Sequence, residues 1–169
     1  SMSRAIYLAN ILGVDMGMYY KRLDYSKNIG GRHPVAAYEF LGPNVAGKDM
    51  ILIDDMISSG ETILKIASLL KERGAGRIYL CSTVCLFTDN LKNFVEAHGA
   101  GVFDKLLTTN MVYQSDELLS KPYYISCDMS KYIALIIDTL NHDMSVSHLL
   151  NPVDRIKRCV ANYMARYEK

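Results

Sequence analysis

The chain has 169 residues, half of them hydrophobic, and its 19 basic and 18 acidic side chains leave a net charge of +1. That length suits one domain, residues 1–169, able to bury roughly 70% of its unfolded surface. Its charges are interspersed, no apolar run is long enough for a bilayer and no signal-peptide core opens the chain. The expectation is a cytoplasmic protein with no nucleic acid and no membrane among its partners.

Ser1-Met2 reads as a processing scar followed by a start methionine. From Arg4 to Leu12 the apolar positions Ala5, Leu8, Ala9 and Leu12 share one side of a helix that Gly13 stops. A strand normally precedes such a helix in an α/β domain, so either another chain supplies it or the sheet begins one strand short, as in a fragment. Met16 to Tyr20 reads as a strand that continues through Lys21-Arg22-Leu23-Asp24-Tyr25 into a polar segment with Lys27, Asn28, Gly30, Gly31, Arg32, His33 and Pro34. The chain returns through Val35 to Phe40, which suggests a mobile hairpin able to carry positive charge to a phosphoryl centre.

Gly47-Lys48-Asp49 then leads into Met50 and a buried, central strand. From Ile51 to Thr62 an apolar run ends in Asp54-Asp55, followed by the turn Ser58-Ser59-Gly60-Glu61-Thr62 and a helix from Ile63 to Lys71 capped by Gly74. Backbone N–H groups at such a helix start lack intrahelical partners, and the macrodipole favours an anion there. Ser58, Ser59 and Thr62 add hydroxyl donors, and Gly60 permits close approach. Asp54 and Asp55, at the carboxyl end of the strand, suit a vicinal diol. Diol plus phosphate points to ribose 5-phosphate.

Further strands are expected at Arg77–Thr83, Phe103–Thr109 and Tyr123–Cys127. Helices are expected near Leu86–His98, at Gln114–Leu119, at Met129–Leu140 and from Leu149 to Tyr167, the last opened by Asn151-Pro152. This alternation implies βαβ units and a mostly parallel sheet, with ligands gathering at the strands' carboxyl ends and Thr108-Thr109-Asn110 lining that edge. Met129–Leu140 is apolar nearly all round and so is expected to be buried against the sheet or a neighbouring subunit. The basic side of Arg155–Arg166 reads as a solvated face. Cys81, Cys85, Cys127 and Cys159 form no C-x-x-C pair and the histidines, His33 and His98 included, have no partner at zinc spacing. Reduced thiols are expected, with metal ligands: none.

The twelve residues Ile51–Thr62 closely resemble the phosphoribosyl-diphosphate signature of type I phosphoribosyltransferase folds. Together with Tyr20-Lys21-Arg22, Gly47-Lys48, Thr83, Leu86-Phe87-Thr88, Thr108-Thr109-Asn110, Asn141-His142-Asp143 and Ser145-Val146-Ser147, they give a chain that resembles the C-terminal half of ribose-phosphate diphosphokinases from about Arg4 to Ile156. The resemblance implies an α/β, type I phosphoribosyltransferase-like domain with a mostly parallel sheet flanked by helices and a flexible β-hairpin loop. It implies ribose 5-phosphate and ATP as substrates, Mg²⁺ entering with ATP in the complete enzyme, and a homo-oligomer. Asp54 and Asp55 would hold the ribose, Ser58 to Thr62 the 5-phosphate, and Lys21 and Arg22 the diphosphoryl group in flight.

Three departures qualify that pattern. Leu23 stands where the family's loop commonly carries a third basic residue, and leucine offers no bidentate donors. Thr83-Val84-Cys85 replaces the family's Thr-His-Gly, which removes a signature of allosteric phosphate binding. The ATP-binding half, and the strand and glycine-rich diphosphate loop expected before Arg4, are absent from the sequence. The expected chain therefore binds ribose 5-phosphate and is inactive alone. A non-catalytic regulatory or assembly subunit and an ordinary phosphoribosyltransferase are the competing readings.

Overall fold

A computed structural model of the chain describes residues 2–23, 26, 35–88 and 91–167. The element order is α1 (Met2–Leu12), β1 (Met18–Leu23), β2 (Val35–Leu41), β3 (Met50–Ile57), α2 (Glu61–Glu72), β4 (Ile78–Cys85), α3 (Lys92–Gly99), β5 (Lys105–Thr109), α4 (Asp116–Leu119), β6 (Tyr124–Cys127), α5 (Ser130–Asn141), α6 (Ser147–Leu150) and α7 (Val153–Tyr167). Strands β3-β4-β5-β6 form a four-stranded sheet in that order, every pair parallel. β1 and β2 form a separate antiparallel hairpin. This is the α/β arrangement expected. The polar tip from Lys27 to Pro34 lies outside the described residues.

The core sits where α2 and α3 cover the sheet. Ile63, Leu64, Ala67 and Leu70 recur at helical spacing and are the buried side of α2. They meet Ile78, Leu80 and Leu106, each fully buried, with Phe94 and Phe103 beside them. Burying one such aliphatic side chain stabilises the fold by about 1.5–3 kcal/mol. The end of α2 is fixed by its backbone. Gly74 has φ +82°, its N–H donates to Lys71 O at 2.8 Å, and Ala75 N–H donates to Leu70 O at 3.1 Å. That is the paired carbonyl closure in which a left-handed glycine ends a helix.

Three expectations change. β3 is not buried or central among the described residues: it pairs there with β4 alone, only Ile57 of the strand is buried, and Ile51 and Met56 are each 53% exposed. A strand with one neighbour and a loosely laid helix beside it keeps an open side, and α1 itself buries no residue. α5 is not packed under the sheet either, because Thr139 is its only buried residue while Ile133, Ile137 and Leu140 are exposed. The last helix is divided: Ser147–Leu150 is a short turn, and Asn151 Oδ1 accepts from Val153 N–H at 3.1 Å to open α7, as Asn-Pro suggested.

A candidate ribose-phosphate site at the edge of the sheet

β3 carries Asp54 and Asp55 just before its last two residues, Met56 and Ile57, and the pleat sends consecutive side chains to opposite faces. Asp54 is half-buried and its Oδ1 accepts from the backbone N–H of Asp55 at 2.8 Å. It lines, with Thr62, a cavity of about 310 Å³ whose other walls are mostly apolar, including Met18, Tyr19, Phe40 and Leu52. Asp55 is exposed and pairs with Arg4 of α1 at 3.1 Å. The same Arg4 nitrogen donates to Thr83 Oγ1 at 2.7 Å. Asp54 opposes Ser82 and Met56 opposes Val84, so Asp55 and Thr83 are lateral neighbours on one face, and Arg4 ties both to α1.

Past Ile57 the chain turns through Ser58, Ser59 and Gly60 into α2. Gly60 takes φ +87° and occupies the N-cap position without a side-chain capping bond. Ser59 Oγ accepts from Glu61 N–H at a long 3.4 Å, and Leu64 N–H makes the first helical bond, to Gly60 O at 2.9 Å. First-turn N–H groups ahead of Leu64 have no partner within the helix, which is what an anion uses. Glu61 is exposed; a carboxylate in the first turn repels a phosphate, so its contribution to anion binding is its N–H. Ser58 is held from across the sheet, since its carbonyl accepts from Thr88 N–H at 3.2 Å and the two hydroxyls lie 3.3 Å apart.

Two more strand ends close the edge. Thr109 Oγ1 donates to Thr83 O at 2.5 Å, tying β5 to β4. Asn110 Nδ2 donates to Asp128 Oδ1 at 2.8 Å, and that oxygen also accepts from Ser130 N–H at 2.9 Å. The Ser130 hydroxyl, then the Ser130 N–H and Asn110, hold the Asp128 carboxyl below the usual carboxylate range. Thr108-Thr109-Asn110 therefore lies at the predicted edge, as a bracing network.

The hairpin carries Lys21 and Arg22 on β1. Lys21 pairs in register with Tyr38, and a bulge falls between Arg22 and Leu23, with Leu23 opposite Val35. Arg22 Nε lies 3.2 Å from Glu39 Oε1, and the Tyr20 hydroxyl hydrogen-bonds the same carboxylate. That bond to Glu39 raises the Tyr20 pKa above its ordinary value.

Of the expected residues, Asp54, Asp55 and the Ser58–Thr62 turn come together at one edge. Arg4 and Glu39 were not anticipated, and Thr88, singled out only within the motif Leu86-Phe87-Thr88, was not expected to meet Ser58. Arg4 is the sole charged residue of α1, and a lone charge in an apolar helix was the available signal. Among the described residues no three of His, Cys, Asp and Glu converge as metal ligands.

The phosphoribosyl synthetase-associated domain matches residues 35–151, leaving α7 outside. The ribose-phosphate pyrophosphokinase of Vibrio parahaemolyticus is 31% identical over 112 residues, covering 64% of this chain and 33% of the relative. That of Nostoc is 31% identical over 119 residues, covering 69% and 34%. The crystal structure of phosphoribosylpyrophosphate synthetase from Mycobacterium smegmatis superposes with a TM-score of 0.58 at 23% identity, over 68% of this chain and 38% of that one. The chain thus spans about one third of the length of the curated relatives it matches. The fold is phosphoribosyltransferase-like, and the chain belongs to the phosphoribosyl synthetase-associated domain family, in which its curated relatives are ribose-phosphate diphosphokinases.

Proposed function

We propose that this chain supplies the ribose 5-phosphate site of a ribose-phosphate diphosphokinase, as one domain over residues 1–169 that works with an ATP-binding half. The supporting observation is that Asp54, Asp55 and the first turn of α2, which has no side-chain cap, lie at the carboxyl edge of the sheet. In this reading the ribose diol sits across the open edge of β3, where Asp54 from one face and Asp55 from the other accept its hydrogen bonds. The N–H groups and hydroxyls of Ser58, Ser59, Gly60, Glu61 and Thr62 hold the 5-phosphate. Asp55 exchanges Arg4 for the sugar.

The anomeric hydroxyl oxygen attacks the β-phosphorus of ATP, the bond from that phosphorus to the oxygen bridging it to the α-phosphorus breaks, and AMP leaves. The products are phosphoribosyl diphosphate, AMP and a proton. Lys21 and Arg22 stabilise the charge on the moving diphosphoryl group, with Glu39 holding Arg22 until the substrates arrive. One preorganised donor of this kind supplies about 3–4 kcal/mol to the transition state.

Magnesium belongs with the ATP. The described residues do not build a cage for it, since the pleat sends Asp54 and Asp55 to opposite faces and Arg4 holds Asp55. No step above therefore runs through a metal held by this chain. A cytoplasmic, homo-oligomeric assembly is part of the same proposal.

The test is AMP release from Mg-ATP and ribose 5-phosphate by this chain alone and by the longest native reading frame, alongside calorimetric titration of the chain with ribose 5-phosphate. Turnover by the long form only, with measurable heat from the chain, is expected. No heat with millimolar ribose 5-phosphate overturns the site. A second reading, a non-catalytic assembly subunit, is favoured by Leu23 at the loop's third position. Silence from both forms, followed by turnover in Leu23→Arg, would establish it.

A further inference from the structure

The segment Leu86-Phe87-Thr88 leaves β4 on the carboxyl side of the sheet, and the function proposed above gives it no task. Phe87 takes φ +49°, in the left-handed region; apart from glycines, only Asp143 among the described residues shares it. An aromatic residue stays in that region only where its surroundings hold it.

The surroundings are well defined. Leu86 N–H donates to Ile57 O at 2.8 Å and Thr88 N–H donates to Ser58 O at 3.2 Å, so bonding between the two chains runs on past the last β3–β4 pair, Ile57 and Cys85. The Phe87 ring meets Phe94 edge-on, at 5.3 Å between centroids and 75° between planes. Phe94, fully buried, also lies against Gly60. One ring therefore supports both the loop after β4 and the turn after β3, and the left-handed residue of that loop delivers Thr88 to Ser58.

The hydroxyls extend the contact. Thr88 Oγ1 and Ser58 Oγ lie 3.3 Å apart, either can be the donor, and both residues are exposed. A hydroxyl has one proton to give and two lone pairs that accept. An anion at the turn removes the choice of donor, because Ser58 serves it only by pointing its proton at it, which leaves a Ser58 lone pair for Thr88.

We propose that Thr88 is a positioning residue of the phosphate turn: its N–H fixes the Ser58 backbone, and its hydroxyl donates to Ser58 Oγ and so directs the Ser58 proton at the phosphate of ribose 5-phosphate. Thr88 acts through Ser58 and does not touch the phosphate. This inference rests on the reading of Ser58 to Thr62 as the 5-phosphate site.

The test follows the amide resonances of Ser58, Ser59 and Glu61 in the full chain during titration with ribose 5-phosphate and, separately, with inorganic phosphate. Thr88→Val keeps the shape and the N–H and removes only the hydroxyl. It is expected to melt with the parent and to bind both ligands about three- to ten-fold more weakly, the range of one net hydrogen bond. Thr88→Ser is expected to restore parent affinity. Ser58→Ala is expected to weaken binding as well, and adding Thr88→Val to it to cost nothing more, because the two residues act in series. Equal affinity in Thr88→Val and the parent, losses that multiply in the double variant, or Thr88→Ser binding as weakly as Thr88→Val overturns the proposal and leaves the ribose 5-phosphate site standing. A parent whose resonances move with neither ligand overturns that site and this inference together.

Discussion

Gly60 lies against the ring of Phe94, so closely that a methyl group in place of its hydrogen would stand 2.4 Å from the ring's Cζ. The proposed phosphate loop therefore rests on the aromatic core, with Phe94 wedged among Phe87 and Phe103 at 5.3 and 6.3 Å. Gly60→Ala meets both a left-handed backbone and an immovable ring, and is expected to lower the unfolding free energy by about 2–4 kcal/mol. Denaturant titration measures it. A loss under about 0.5 kcal/mol, within the range of ordinary surface changes, would mean that the turn relaxes.

Asp54→Ala and Asp55→Ala are each expected to weaken ribose 5-phosphate binding at least about ten-fold, the loss of one hydrogen bond to a charged acceptor. Arg4→Ala tests a different matter. Its pair with Asp55 is more than half exposed on both sides, so stability is expected to change by less than about 1 kcal/mol. Calorimetric titration with ribose 5-phosphate is expected to tighten in Arg4→Ala, because the carboxylate no longer exchanges its pair with Arg4 for the sugar. Weaker binding in that variant would make Arg4 a ligand of the substrate.

A polar cluster inside the sheet offers a sharper stability test. Thr108, 2% exposed, shares a 2.5 Å hydrogen bond with the Tyr124 hydroxyl, which also accepts from Gln114 Nε2 at 2.6 Å. Tyr124→Phe strips both partners of their contact and is expected to cost about 1–2 kcal/mol in a urea unfolding curve.

Alkaline pH is expected to destabilise the fold. Burial pushes the Cys81 thiol up to about 11 and the Cys85 thiol up to about 12, from an ordinary value of 9.0. Above pH 9 the unfolded chain gives up these protons while the folded one keeps them, so the unfolded state binds fewer protons and stability falls with rising pH. The contribution is complete below about pH 9 and is lost as pH climbs through the folded values. Urea midpoints between pH 8 and pH 10.5 should decline, and the Cys81→Ala/Cys85→Ala pair should flatten the slope. An unchanged slope in that variant would assign the decline to the tyrosines.

The strand, turn and helix from Met50 to Glu72 were legible because each uses a local rule: an apolar run, a hydroxyl-rich turn with glycine, a helical apolar period closed by Gly74. The edge position of β3 was not, because an apolar run looks the same with one neighbour or two. Arg4 and Thr83 lie 79 residues apart, and no local pattern announces a bond between them. The exposure of α5 was equally hidden: a helix apolar on all sides states a need for cover without saying what provides it.

The hairpin of β1 and β2 shares no ladder with the four-stranded sheet among the described residues. Hydrogen exchange should therefore divide the protein into two cooperative units. Amides paired within the hairpin can exchange through an opening that leaves the sheet intact, whereas those of Leu80 and Leu106 wait for global unfolding. Separate exchange of the two sets of amides would mean that the strand bearing Lys21 and Arg22 opens without disturbing the floor proposed to grip the sugar, even though Tyr19 and Phe40 of the hairpin rest on the core.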